Sequence, residues 1–251
     1  MTDIGEGYIE MRGQYKRTMP WLLEMGAEPI SVAGVMQRRL EVLNRTRRSP
    51  STHNFELLSG WVQHGGAIYT GDAFALYPDG KVKVLLDAQP LREINRWSRI
   101  TNGFSRVNNG KYDGKGLVLP DGAYEKLDAE EFDLNNVLKG HEDYFFYNGM
   151  TGRQAKDNPV WQVVARNPRL LDEYVDTALK ERERRLAHEE KTGHPYNLIM
   201  NVSLRYKIER PTIYPIAIKD LFYGTSELIC GSVQYNDRYN DRLIGVIERK
   251  R

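Results

Sequence analysis

Two aspartates are the residues best placed to do chemistry. Residues 67–88 read as a β-hairpin: Asp72 to Tyr77 run out, Pro78-Asp79-Gly80 is turn chemistry, and Lys81 to Leu86 return. With Asp79-Gly80 as a two-residue turn, Asp72 stands opposite Asp87 across the strands. The same register gives one apolar face of Ala73, Ala75, Tyr77, Val82, Val84 and Leu86, and puts Asp72, Phe74, Leu76, Lys83, Leu85 and Asp87 on the other. Facing carboxylates repel unless a cation neutralises them. Gln89, two residues on, shares the face of Asp87. Acids converging on one point are the chemistry of divalent-cation sites, where carboxylates hold Mg²⁺ and the metal activates water and stabilises a phosphate under attack. Arg45, Arg47 and Arg48 would then contact phosphate. The alternative is a hairpin whose open end exposes two acids to water.

An acid on one strand followed by an acid-x-polar tripeptide on the next resembles the metal site of PD-(D/E)xK nucleases. The resemblance implies Asp72 and Asp87 as Mg²⁺ ligands, with nucleic acid as the substrate. Gln89 stands where that family usually carries lysine. Lys111-Tyr112-Asp113-Gly114 resembles the K-x-D-G of covalent nucleotidyltransferases such as DNA ligases, which implies an adenylated Lys111. That match covers four residues, and the strand motif that follows it in the family is missing. Ser51-Thr52-His53-Asn54 resembles the flavin-binding N-terminal region of some nitroreductases, without the long central helix that should follow.

Tyr235-Asn236-Asp237-Arg238 repeats at once as Tyr239-Asn240-Asp241-Arg242. Tyr and Arg are enriched at interface hot spots, so Tyr235, Arg238, Tyr239 and Arg242 are candidate protein contacts on a loop between strands. His53 with His64, and His188 with His194, lack H-x-x-x-H spacing, and zinc needs three or four converging ligands. The single cysteine, Cys230, lies in an apolar run and reads as a buried thiol. It excludes a disulfide framework within the chain. P-loop, G-x-G-x-x-G and G-x-S-x-G motifs are absent.

Several elements must position these residues. Residues 31–48 read as an amphipathic helix capped by Ser31, with Val32, Val35, Met36, Leu40 and Leu43 on one stripe and the arginines largely off it. Pro50 ends it. Residues 89–158 are rich in Asn-Gly and Asp-Gly steps, and read as loops with strands only at Gly116–Leu119 and Asp143–Tyr147. Asn158-Pro159 and Asn167-Pro168 each read as an N-cap followed by a first-turn proline, opening two helices over residues 158–191. The second buries Leu171, Tyr174, Val175, Ala178 and Leu179; beyond Lys180 only Leu186 and Ala187 are apolar, so that end meets solvent or a polar partner. Residues 197–209 alternate as a long half-buried strand, and runs at 213–218, 227–233 and 243–247 complete a C-terminal sheet.

The expected fold is α+β and loop-rich: an N-terminal hairpin region, a central helical segment and an antiparallel C-terminal sheet, with no βαβ rhythm. Residues 1–251 form one main body, with sub-regions 1–88, 89–158 and 159–251. The chain has 36 Lys+Arg and 34 Asp+Glu, a net charge of +2, and mean hydropathy of −0.60. A bulk polycation and an acidic disordered chain are excluded. The first half is net basic and residues 121–143 are strongly acidic, so complementary patches can meet a partner or a second copy. The N-terminus lacks the pattern of a secretory signal, and no apolar stretch approaches the roughly 20 residues of a membrane span. The expected role is a non-catalytic structural or interaction subunit of a large assembly such as a virus or phage particle. It would need no cofactor, take other protein subunits or itself as partner, and sit in the cytoplasm or a virion. The alternative is a Mg²⁺-dependent nuclease acting on nucleic acid.

Overall fold

A computed structural model describes residues 2–4, 6–13, 15–63, 67–93, 104–107, 112–117, 122, 124–127, 129–133, 139–141, 145–186, 198–203, 211–219, 226–231 and 242–247. The strand Ile68–Leu76 is buried at all nine positions, which places it at the centre of a sheet covered on both faces. Ile68, Phe74 and Leu76 face one apolar cluster, built with the helices Val32–Arg48, Thr52–Leu58, Pro159–Ala165 and Pro168–Leu186. Tyr69, Ala73 and Ala75 face a second, built with the helix Tyr15–Glu24 and Leu91 of the short helix Gln89–Arg92.

The fold is α+β. Along the main path the strands run Thr2–Asp3, Tyr8–Arg12, Arg242–Val246, Ile68–Leu76, Thr212–Ile218, Ser226–Gly231, Leu198–Ser203, Phe145–Met150 and Lys139–His141. Most neighbours are antiparallel, as expected. Two pairs are parallel: Arg242–Val246 with Ile68–Leu76, and Leu198–Ser203 with Ser226–Gly231. Crossover connections, invisible to alternation alone, create both. The region expected to be mostly loops also supplies Phe104–Val107, Glu130–Asp133 and Lys139–His141 as strands.

The hairpin forms with a different register. Its loop has three residues, not two: Tyr77 N–H donates to the Lys81 carbonyl at 2.9 Å and Gly80 N–H to the Tyr77 carbonyl at 3.1 Å. Gly80 takes φ +85°, the left-handed conformation such a loop requires. Ala73 therefore pairs with Leu85, and Ala75 with Lys83. The one-residue slip turns Val82 and Val84 to the helical face beside Phe74 and Leu76, and leaves Leu86 exposed. Asp72 and Asp87 are not a cross-strand pair.

The central strand forks. Along one edge Ile68 and Tyr69 pair with Arg242–Val246, while Ala73 to Leu76 pair with the hairpin strand Lys81–Leu85. The gap between these partners falls at Thr70-Gly71-Asp72. There Gly71 N–H donates to the Ile30 carbonyl at 2.9 Å, and Ala88 N–H donates to the Gly71 carbonyl at 2.7 Å. Pro29 lies so close that a Cβ on Gly71 would meet its Cγ at 3.0 Å.

Ser31 caps the helix Val32–Arg48, its Oγ accepting from Gly34 N–H at 3.0 Å. The expected stripe is buried, and so are Arg38 and Arg39, although they lie off it. The Asn158 cap is also present, its Oδ1 accepting from Val160 and Trp161 amides at 3.1 Å. Where Arg242–Val246 crosses the second core, a Cβ on Gly245 would stand 2.4 Å from Cδ1 of the fully buried Leu22 and 3.0 Å from Ala27 Cβ. Gly245→Ala is therefore expected to destabilise the chain by about 1–3 kcal/mol. Urea unfolding checks this as a lower midpoint at unchanged slope.

Candidate functional site

The fork in the sheet is where the two aspartates come together, and an arginine joins them. Asp72 points to the helical face and is completely buried. Its Oδ2 accepts from Val32 N–H at 2.7 Å, at the first turn of the helix Val32–Arg48. Its Oδ1 accepts from Asp87 N–H at 2.9 Å and from Arg166 Nη2 at 2.6 Å. Arg166 Nη1 reaches Asp87 Oδ2 at 2.7 Å. One guanidinium thus bridges a buried and an exposed carboxylate, with side-chain exposures of 30%, 0% and 47% for Arg166, Asp72 and Asp87. Arg92 extends the cluster, 4.0 Å from Asp87 Oδ1 and ion-paired with Glu28.

Local backbone geometry serves this arrangement. Arg166 ends the helix Pro159–Ala165 with φ +59°, and Asp87 follows the hairpin with φ +48°. Left-handed geometry costs an L-residue roughly 1–2 kcal/mol, although Asp tolerates it better than most. Both residues are held there by the contacts they make with Asp72. Burial pushes the Asp72 carboxyl above the usual carboxylate range, opposed by the Asp87 amide, Arg166 and the Val32 amide. Arg166 is held above its ordinary value by the two aspartates, against the effect of its own burial.

A second polar centre lies under the π-helical turn Ser59–Gln63. Arg242 donates to the Gly60 carbonyl at 2.5 Å and pairs with Glu10 at 3.4 Å. Arg39 donates to the Trp61 carbonyl at 3.0 Å and to the Tyr174 hydroxyl at 2.8 Å. The Arg38 guanidinium lies 5.1 Å from the Tyr8 ring centre and 5.6 Å from that of Trp61, and it pairs with Glu6. These cations fix carbonyls and rings inside the fold.

The expected site residues fare differently. Asp72 and Asp87 meet, on Arg166 rather than across the strands. Gln89 does not join them: it opens the helix Gln89–Arg92, is exposed, and its amide faces Glu93 at 3.5 Å. Arg45 and Arg47 are exposed but already ion-paired, with Glu6 and Glu181, and Arg48 is exposed at the helix end. Arg242 is buried in a strand and is not a loop contact. Tyr235, Arg238, Tyr239, Lys111, His64, His188 and His194 lie outside the described residues. Among the described residues no group of three or more His, Cys, Asp or Glu is placed to hold a metal ion. Sequence reasoning missed Arg166. Its one local signal is the pair of Asn-Pro caps, which forces a corner between helices; nothing local marks a contact with Asp72, 94 positions away.

No family model matches the chain, and no curated protein matches it. Among solved structures, one chain described as "Accommodation of massive sequence variation in Nanoarchaeota by the C-type lectin fold" is similar with a TM-score of 0.49 at 12% identity, over 97% of this chain and 100% of that one.

Removing Arg166 leaves a buried carboxylate with two amide donors and no counter-charge. Arg166→Ala is expected to cost about 3 kcal/mol, the low end for breaking a buried pair because the arginine is partly exposed. Arg166→Gly loses the same charge but accepts the left-handed backbone, so it is expected to be less damaging than Ala by about 1 kcal/mol. Thermal unfolding of the two variants side by side checks both. Because the folded Asp72 holds its proton more tightly than the unfolded one, its contribution is fully present below the ordinary carboxylate range and is lost as pH rises towards the raised folded value. Asp72→Asn should remove that fall, so denaturant stabilities measured from acid to neutral pH should drop more steeply in the wild type than in the variant.

Proposed function

We propose that the chain is a non-catalytic structural or interaction subunit of a larger protein assembly. The observation that carries this reading is the commitment of the strongest charged centre to bracing. Each Asp72 oxygen already accepts from a backbone amide or Arg166, and Arg166 spans both acids. Meanwhile Trp21, Met25 and Phe55 are 49%, 41% and 54% exposed, and large aromatic side chains are typical anchors of protein contacts. Virus and phage particles are one class of assembly that uses such subunits, with the virion or the cytoplasm as its place. Among the described residues no helix is long and apolar enough to cross a membrane.

The competing reading, a Mg²⁺-dependent nuclease acting on nucleic acid, draws on the convergence of Asp72 and Asp87 upon one cation. For it to hold, Mg²⁺ must displace Arg166. The two readings part on a thermal scan with and without Mg²⁺. The subunit reading expects no metal-dependent rise in melting temperature and a small loss of stability in Asp87→Asn, up to about 1 kcal/mol for a half-exposed pair. The nuclease reading expects a metal-dependent rise that Asp87→Asn abolishes along with cleavage. Size-exclusion chromatography with light scattering, on the chain alone and mixed with the products of neighbouring genes, tests the proposal directly. Assembly is the expected result; an inert monomer that joins no complex overturns it.

A further inference from the structure

The helix Pro168–Leu186 buries Leu171, Tyr174, Val175 and Ala178 on one side. Its opposite side carries Arg169, Asp172, Glu173, Asp176, Thr177 and Lys180, which line an open groove of about 420 Å³ against the helix Val32–Arg48. Those six positions recur at three- and four-residue spacing, so they form one continuous stripe, and every member of it is polar. Its charges fall into two sets. Asp172 and Asp176 are met by Lys156 at 3.7 and 2.8 Å, and Arg47 on the facing helix is met by Glu181. Arg169, Glu173 and Lys180 are exposed, and among the described residues none of them has an ion-pair partner.

We propose that this stripe is a contact between two copies of the chain, related by a two-fold axis passing between Asp176 and Thr177. The inference rests on the subunit reading and names one of its partners as the chain itself. Glu173 and Lys180 are seven residues apart, so they share an azimuth but lie roughly 10 Å apart along the axis, too far to pair within one helix. An antiparallel copy sets Glu173 of each chain against Lys180 of the other, forming the pair twice. The same symmetry sets the Thr177 hydroxyl of one chain opposite the Asp176 carboxylate of the other. An isologous contact requires a self-complementary surface, and the centre of this stripe supplies one; the same axis sets Asp172 opposite Glu181, two acids already met within their own chain by Lys156 and Arg47. A polar contact of this kind is screened by salt, which makes ionic strength the control for it.

The experiment is sedimentation of the full chain and two charge reversals at exposed positions, Glu173→Lys and Lys180→Glu. The wild type is expected to dimerise at low salt and to weaken as salt rises. Each single variant sets like charges together at both halves of the contact, and its dimer dissociation constant is expected to rise by roughly tenfold or more. An equimolar mixture of the two variants restores both pairs, and with them the dimer. Melting temperatures close to wild type confirm that the variants fold. A mixture no more associated than its components overturns the proposal. A wild type that is monomeric alone yet enters a complex with neighbouring gene products overturns the self-contact and leaves the subunit reading standing; a monomer that enters no complex overturns both.

Discussion

A buried carboxylate at the fork of the central strand holds the layers of this protein in register. The strand Ile68–Leu76 changes edge partner between Tyr69 and Ala73, and a sheet edge left open inside a protein exposes amides and carbonyls to no water. Asp72 fills that gap with a side chain. Its oxygens take the Val32 amide from the helix above, the Asp87 amide from the returning hairpin, and the Arg166 guanidinium from the helical corner. An ionised carboxylate without those donors would be far too costly to bury. With them it ties the sheet, the long helix and the helical middle to one atom group.

The rest of the local geometry follows from this constraint. Asp87 must turn its amide inward and its own carboxylate outward, and the left-handed backbone at φ +48° does both. Arg166 must leave its helix and reach back over the sheet, and φ +59° at the helix end aims it there. Strain at two neighbouring non-glycine residues is commonly read as the mark of a reactive site. Here each of the two residues makes one hydrogen bond to Asp72, and the pair is closed by a third between Arg166 and Asp87. The strain is balanced by satisfying a buried charge, which is a structural role in its own right.

Much of the fold was legible from local pattern. The Ser31 and Asn158 caps, the stripe of the helix Val32–Arg48, the hairpin and the C-terminal strands all depend on neighbours within a few residues, and all are present. The errors share one cause: they depend on distant partners or on a single turn residue. Gly80 in a three-residue loop moved the register by one position, and that slip alone exchanged the faces of Val82 and Val84. Arg38, Arg39 and Arg242 look like surface charges in sequence because only the fold brings Tyr8, Trp61, Tyr174 and Glu10 to them. Asp72 and Asp87 were singled out as facing carboxylates in need of a cation; they meet on one, Arg166, but not as a cross-strand pair. The cation itself lay 94 residues beyond Asp72, where no local rule could connect them.

The charges of the chain therefore divide by what they are fixed to. Asp72, Arg166, Arg39 and Arg242 grip backbone amides, carbonyls or each other, so a ligand drawing on them would have to release part of the core. Charges on the outer face of the helix Pro168–Leu186 grip single exposed or half-exposed side chains of neighbouring helices, Lys156 and Arg47, or nothing among the described residues, and can be redirected at little structural cost. Recognition that leaves the fold intact must then draw on the second set. That set sits on a rigid helix whose inner face is locked by Leu171, Tyr174 and Ala178. A polar stripe on so fixed a support keeps its spacing, and fixed spacing is what allows weak, screened ion pairs to select one partner geometry over another.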